Sequence, residues 1–269
     1  MIRESISAKA RAILVILSIV AMIGSYSWLS HERHVENPDD KTIPGWGQMA
    51  DGLETVVTPH KRSGEVALWV DSKATLNRLF GGMAVGIAIA LVLGFLMGCW
   101  SPAEAFFKLP VSLSAKLNPI AMLAIFFVLT DSDYWFFVSM IAFGIAPVLT
   151  QNVYLAIKDD VPVQLIHKAY TLGASTMEVV FSVVGRQVLP RVLDGIRLLI
   201  GPAMVYLIAA EMVNGEEGFG YQVRTQMRKT NMDIVYPYII LLASFGFLVD
   251  QLMAYVTRRL CPWFGGNAA

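Results

Sequence analysis

Leu79–Gly98 and Tyr134–Ile157 run for 20 and 24 residues without a single charged side chain. An α-helix needs about 20 apolar residues to cross the hydrocarbon core of a bilayer. Inside lipid the backbone must satisfy its own hydrogen bonds, which restricts spanning structures to helices and closed barrels. No stretch alternates with period two as a transmembrane strand would, so these runs predict an all-α membrane protein. Composition agrees: 16% of residues are charged and 55% hydrophobic, where a soluble domain carries about 25% charged residues.

Four further segments complete about six predicted transmembrane helices. Ala12–Ser30 is uncharged and follows Arg3, Lys9 and Arg11. No small-residue cleavage site comes after it, so it reads as a retained N-terminal helix. Leu109–Thr130 is a third span, interrupted by Lys116 and Pro119, with the acidic turn Asp131–Asp133 behind it. Leu198–Ala210 is short and reaches spanning length only with its flanks. Ile234–Val249 is the last span and continues past Asp250. Six spans put both termini on one side. The clusters Arg3/Lys9/Arg11 and Arg258–Arg259 make that side the cytoplasm.

The resulting organisation is an N-terminal helix (1–30), a polar periplasmic segment (31–77), a core of five spans (78–264) and a tail (265–269). The segment 31–77 holds eight acidic and five basic residues, with a short interfacial helix predicted near Trp46–Val57. Two pairs of glycines four apart, Gly82/Gly86 and Gly94/Gly98, predict close helix packing in the membrane. Net charge is zero, with 21 basic and 21 acidic residues, which offers nothing to nucleic acid. The two cysteines, Cys99 and Cys261, form neither a disulfide framework nor a metal pattern.

The loop 158–195 between spans four and five carries the functional signal. Leu165, Ile166, Ala169 and Tyr170 recur at helical spacing, with Gln164, Lys168, Thr171 and Ser175 largely elsewhere. This predicts a short amphipathic helix whose apolar face needs lipid, its own bundle or another protein to cover it. Gly173 follows where a left-handed cap or a close backbone approach is permitted. Pro190 suits a break before the next span. Within the spans, Asn118, Gln151 and Asn152 predict interhelical hydrogen bonds or a lined path. Glu211 reads as a gate or docking group, or as a carboxylate folding the Gly218–Gly220 loop. Asp250 is expected to pair with Arg258 or another basic group.

Ala169-x-x-Leu172-Gly173-Ala174-Ser175, with Leu189-Pro190, Asp194-Gly195-Ile196-Arg197 and Gly218-Phe219-Gly220-Tyr221, resembles the permeases of bacterial ABC importers. Arg258-Arg259-Leu260-x-Pro262-Trp263 resembles the tail of their nitrate, sulfonate, taurine and bicarbonate branch. The likeness runs over about residues 75–264. Two departures stand out: the family's Glu-Ala-Ala reads His167-Lys168-Ala169, and a first Leu-Pro pair reads Gly185-Arg186.

The resemblance implies a type I importer permease architecture in the bacterial inner membrane. It implies that Leu165, Ile166, His167, Lys168, Ala169, Leu172, Gly173, Ala174, Ser175 and Pro190 form the element that couples to a cytoplasmic ABC ATPase. It also implies a second permease copy, a periplasmic substrate-binding protein, and ATP with Mg bound on the ATPase. No cofactor or metal is expected on this chain. No Walker A loop or hydrolase motif occurs, so no catalytic residue is assigned. Glu211, Asn118, Gln151 and Asn152 are the candidates for the substrate path or gate. A stand-alone secondary transporter or channel is the alternative; a membrane enzyme or assembly scaffold is a third reading.

Overall fold

The computed structural model describes residues 7–36, 40–59, 66–130 and 134–262. Every regular element among them is helical: α1 (Ala8–Glu36), α2 (Trp46–Val57), α3 (Ala67–Cys99), α4 (Ser101–Ser114), α5 (Leu123–Thr130), α6 (Tyr134–Asp160), α7 (Val163–Thr171), α8 (Thr176–Asn214), α9 (Phe219–Arg228) and α10 (Met232–Leu260). Five of these, α1, α3, α6, α8 and α10, are long and apolar enough to cross a membrane. Arg3, Asp131–Asp133, Trp263 and the tail 265–269 lie outside the described residues.

The chain divides into two compact units, residues 1–68 with 223–239, and residues 69–222 with 240–269. In the first, α2 occupies the residues predicted for a short helix. Gly45 starts it, its N–H donating to Gln48 Oε1 at 3.0 Å. Tyr26 donates to the Pro44 carbonyl at 2.6 Å, and the Trp46 indole donates to Ser27 at 2.9 Å. Gly52 lies so close to the Asp233 backbone that a side chain there would meet the carbonyl.

The second unit is built on a seam between α3 and α6. Gly82, Gly86, Gly94 and Gly98 face Ile141, Ile145, Val153 and Ile157. Ala90 and Leu149 fill the middle of the two rows and are fully buried. Each partner is 59 positions further along (Gly82 with Ile141, Gly98 with Ile157), so the two helices run parallel. Small residues four apart remove the bulk that would hold the axes apart, and β-branched side chains fill the groove. The predicted glycine packing is therefore present, with α6 as its partner.

Parallel neighbours require a return crossing between them. Glu104, in the first turn of α4, accepts from Lys158 at the far end of α6 (2.8 Å). Phe126 of α5 stacks edge-on with Phe143 at 5.4 Å, and Tyr134 lies against Gly81 at the other end. From Glu104 beside Lys158 the chain thus travels back along α6 to its Tyr134 end, and residues 109–130 make the crossing. This is the third predicted span, with one correction: it is a broken pair of helices. The peptide leaves the helix from Ala115 to Met122 because Pro119 cannot donate to a helical ladder and disfavours helix at the preceding residue.

Three further expectations change. The polar segment 31–77 is partly helical, since α1 continues to Glu36 and α3 begins at Ala67. The loop before span five is shorter than 158–195, because α8 already begins at Thr176. Pro190 breaks nothing: it sits buried inside α8. The helix takes up its irregularity upstream instead, where 179–184 winds as a π-helix and the Gly185 N–H reaches the Val180 carbonyl. Two of the basic residues that made this stretch look like a loop are paired, Arg191 with Asp160 at 2.9 Å and Arg197 with Asp250 at 2.5 Å. α8 packs antiparallel on α6, with Gly195 against Asn152 and Tyr206 against Gly144.

Candidate functional site: coupling surface and membrane path

α7 and the turn after it form a module closed by its own hydrogen bonds. Gly173 has φ +85°, the left-handed conformation that favours glycine. The Ala174 N–H bonds to the Ala169 carbonyl at 3.1 Å and the Gly173 N–H to the Tyr170 carbonyl at 3.0 Å. That is the Schellman pattern, which satisfies carbonyls left open at a helix end. No atom approaches the position a Cβ would take, so the glycine serves the cap and not a close approach. One residue later Ser175 opens α8 with a reciprocal cap. Its hydroxyl accepts from the Glu178 N–H at 3.3 Å, and Glu178 Oε2 accepts from the Ser175 N–H at 2.7 Å.

The predicted apolar face of α7 is divided. Ile166, Ala169 and Ala174 pack on the bundle core. Leu165, Tyr170 and Leu172 are exposed, Leu172 by 79%, as are Val163 and Met177 beside them. His167, Lys168 and Ser175 are also exposed. Nine of the ten predicted coupling residues therefore share one module. The tenth, Pro190, does not join them.

Beside this module, at the Lys158 end of α6, Glu104 accepts from Lys158 and from the Tyr154 hydroxyl (2.5 Å), with Lys108 3.5 Å away. Glu104 precedes the third crossing. The bond from Lys158 first, and that from Tyr154 second, hold its carboxyl down to about 2.

The four predicted path residues are not gathered into one site. Glu211 is fully buried at the Tyr134 end and accepts from Thr75 at 3.0 Å, Arg78 at 3.0 Å and the Gly220 N–H at 2.9 Å. Arg78 also donates to the Glu217 carbonyl at 2.8 Å and lies 4.2 Å from the Phe137 ring centroid. Asp71 accepts from the Gly218 N–H at 2.9 Å. Gly218, at φ +112°, has no room for a side chain against the Glu211 carboxylate. Glu211 thus organises the Gly218–Gly220 loop.

Asn152 meets Gly195 where α6 and α8 touch, and Gln151 lies half-buried beside it. Asn118 is exposed in the break of the third crossing, its Oδ1 accepting from the Ile120 N–H at 3.0 Å. It is not inside a helix as expected. Asp250 is held by Arg197 through two bonds of 2.5 and 2.6 Å. Arg258 is two turns further along the same helix, about 12 Å away at 1.5 Å per residue.

Residues 84–261 match the profile of the binding-protein-dependent transport system inner membrane component family. The chain belongs to that family. A probable ABC transporter permease of Brucella melitensis biotype 1 is 25% identical over 196 residues, 72% of this chain and 78% of that protein. The taurine transport system permease protein TauC of Escherichia coli K12 is 24% identical over 223 residues, 83% and 80% of the two chains. Among solved structures, a chain of the MetNI methionine ABC transporter in an inward-facing conformation superposes with a TM-score of 0.65. It is 19% identical and covers 72% of this chain and 97% of that one. The chain is therefore an ABC transporter permease with the type I fold, a multi-pass protein of the inner membrane.

Several residues that build this permease escaped sequence reading. Ser175-x-x-Glu178 is a capping-box pattern and could have marked the start of α8. Glu104 and Lys108 sit at helical i, i+4 spacing. Thr75, Arg78 and Asp71 gave no signal, because their partners are more than 130 residues away.

Proposed function

We propose that this permease works as one of two identical copies in an ATP-driven importer, and that the α7 module is where a cytoplasmic ABC ATPase docks. In this reading the Lys158 end of α6 and both chain termini are cytoplasmic. The stretches 131–133 and 214–233 then face a periplasmic binding protein. ATP and Mg belong to the ATPase, and hydrolysis there drives two copies of the core between outward- and inward-open states. The solute is small and polar and carries an anionic group, with taurine, the sulfonate-bearing solute in the name of the Escherichia coli relative, as the first probe.

One observation carries this reading. Leu165, Tyr170, Leu172 and Met177 stand exposed on a platform that two local caps and three core contacts hold in place. An apolar helix face presented this way is suited to a groove on another protein. The platform joins α6 directly to α8, so a force on it reaches two spanning helices.

The test is a detergent pull-down of the tagged chain expressed with its genomic neighbours, comparing wild type with a deletion of Gln164–Ser175. An ATP-hydrolysing subunit recovered with wild type alone is the expected result. Equal recovery with both versions overturns the docking assignment. Recovery with neither transfers the protein to the stand-alone transporters.

A further inference from the structure

The break in the third crossing lies at the middle of the membrane. Pro119 packs against Gly144, which the Tyr206 ring also approaches. Gly144 is ten residues into α6, about 15 Å from Tyr134 at 1.5 Å per residue, half of a hydrocarbon core about 30 Å thick. At that depth residues 115–122 are non-helical, and Lys116, Leu117 and Asn118 are exposed. Non-helical backbone at membrane depth is tolerated where protein buries it or where it lines water. Among the described residues these side chains are exposed, the condition for lining water. The same holds for Lys116, since a charge facing lipid at the bilayer centre is costly. Among the described residues it has no ion-pair partner.

The polar side-chain functions offered here, those of Lys116 and Asn118, are donors. The Lys116 ammonium has three N–H bonds and accepts nothing. Asn118 uses its oxygen on the Ile120 N–H, which turns its NH₂ outward as the remaining function. We propose that Lys116, with Asn118, forms a midmembrane subsite for an anionic group of the transported solute, a sulfonate or carboxylate. This rests on the importer reading and deepens it: the break supplies charge selection within the permease, separate from any selection by a binding protein. Lys116 is the specificity-determining residue and Asn118 the orienting one.

The test reads the site without needing the solute or the ATPase. In the full chain carrying Cys99→Ser and Cys261→Ser, Leu117→Cys places a thiol between the two residues. Its reaction in membrane vesicles is compared for a sulfonate-bearing and a trimethylammonium-bearing methanethiosulfonate reagent. The anionic reagent is expected to react at least about tenfold faster, as one focused charge in a narrow site provides. Lys116→Gln brings the ratio to about one, and Lys116→Arg keeps it.

A Leu117→Cys thiol reached only by an uncharged, lipid-soluble maleimide overturns the aqueous site. A ratio unchanged by Lys116→Gln overturns the role of the lysine. If no ATPase is recovered by pull-down while the charge preference persists, the importer reading falls and the subsite stands. Recovery of the ATPase without any preference gives the reverse.

Discussion

The two ends of the α6–α8 pair are held by opposite means. At the Tyr134 end, Glu211 is closed off by Thr75, Arg78 and Gly220, residues drawn from α3 and from the first turn of α9. At the Lys158 end, α7 is closed by bonds spanning five residues or fewer, and its largest apolar side chains stay exposed. The first end is complete as a single chain. The second is shaped in advance but is left uncovered by the described residues. A buried, fully paired network fixes structure, whereas a locally capped, uncovered one is fit to be gripped.

The sharpest way to break this contrast is at Arg78. Arg78→Leu leaves the Glu211 carboxylate buried without its cation and is expected to cost about 3–5 kcal/mol, read as a large fall in the detergent melting temperature. A wild-type melting curve would remove the distinction between the two ends. Next comes the seam. Gly94→Val must displace Val153 and approach the Thr150 carbonyl, costing about 1–3 kcal/mol of global stability through overpacking.

Gly173→Val strains a left-handed residue by about 1–2 kcal/mol. Its effect should stay local, as faster hydrogen exchange over 163–175 with little change in melting temperature. Leu172→Ala is expected to alter stability by no more than about 0.5 kcal/mol and yet to lower ATPase recovery in the pull-down; unchanged recovery would deny the module its partner.

The smallest effect is one of pH. Because its folded carboxyl is held near 2, Glu104 contributes stability above its unfolded range, and loses it as pH falls toward 2. The melting temperature of Glu104→Gln should lie below wild type at pH 7, and the gap should narrow at pH 3.

How much of this could be read beforehand follows the range of each interaction. The glycine rows, the α2 boundaries and the left-handed Gly173 depend on spacing along the chain, and the sequence shows spacing. The α8 start was hidden because Arg186, Arg191 and Arg197 look like loop residues until Asp160 and Asp250 are seen beside two of them. The buried role of Glu211 was one of two readings left open. Its bonds to Gly220, and to Thr75 and Arg78 from 136 and 133 positions away, are what the sequence could not show. The break at Asn118-Pro119 was visible as an interruption. Its position part-way along α6 emerged only from the contact of Pro119 with Gly144.

The parallel seam also dictates an order of synthesis. When α3 leaves the ribosome its glycine face has no partner, and α6 is 59 residues behind it. Between them comes a segment carrying Lys116, a residue that costs about 2.5–3.5 kcal/mol at the centre of a helix entering the bilayer. That segment is a poor substrate for the insertion machinery by itself. It is retained when α6 docks on α3 and closes the two helices around it, so the glycine rows act during biogenesis as the clasp that keeps a reluctant crossing in the membrane.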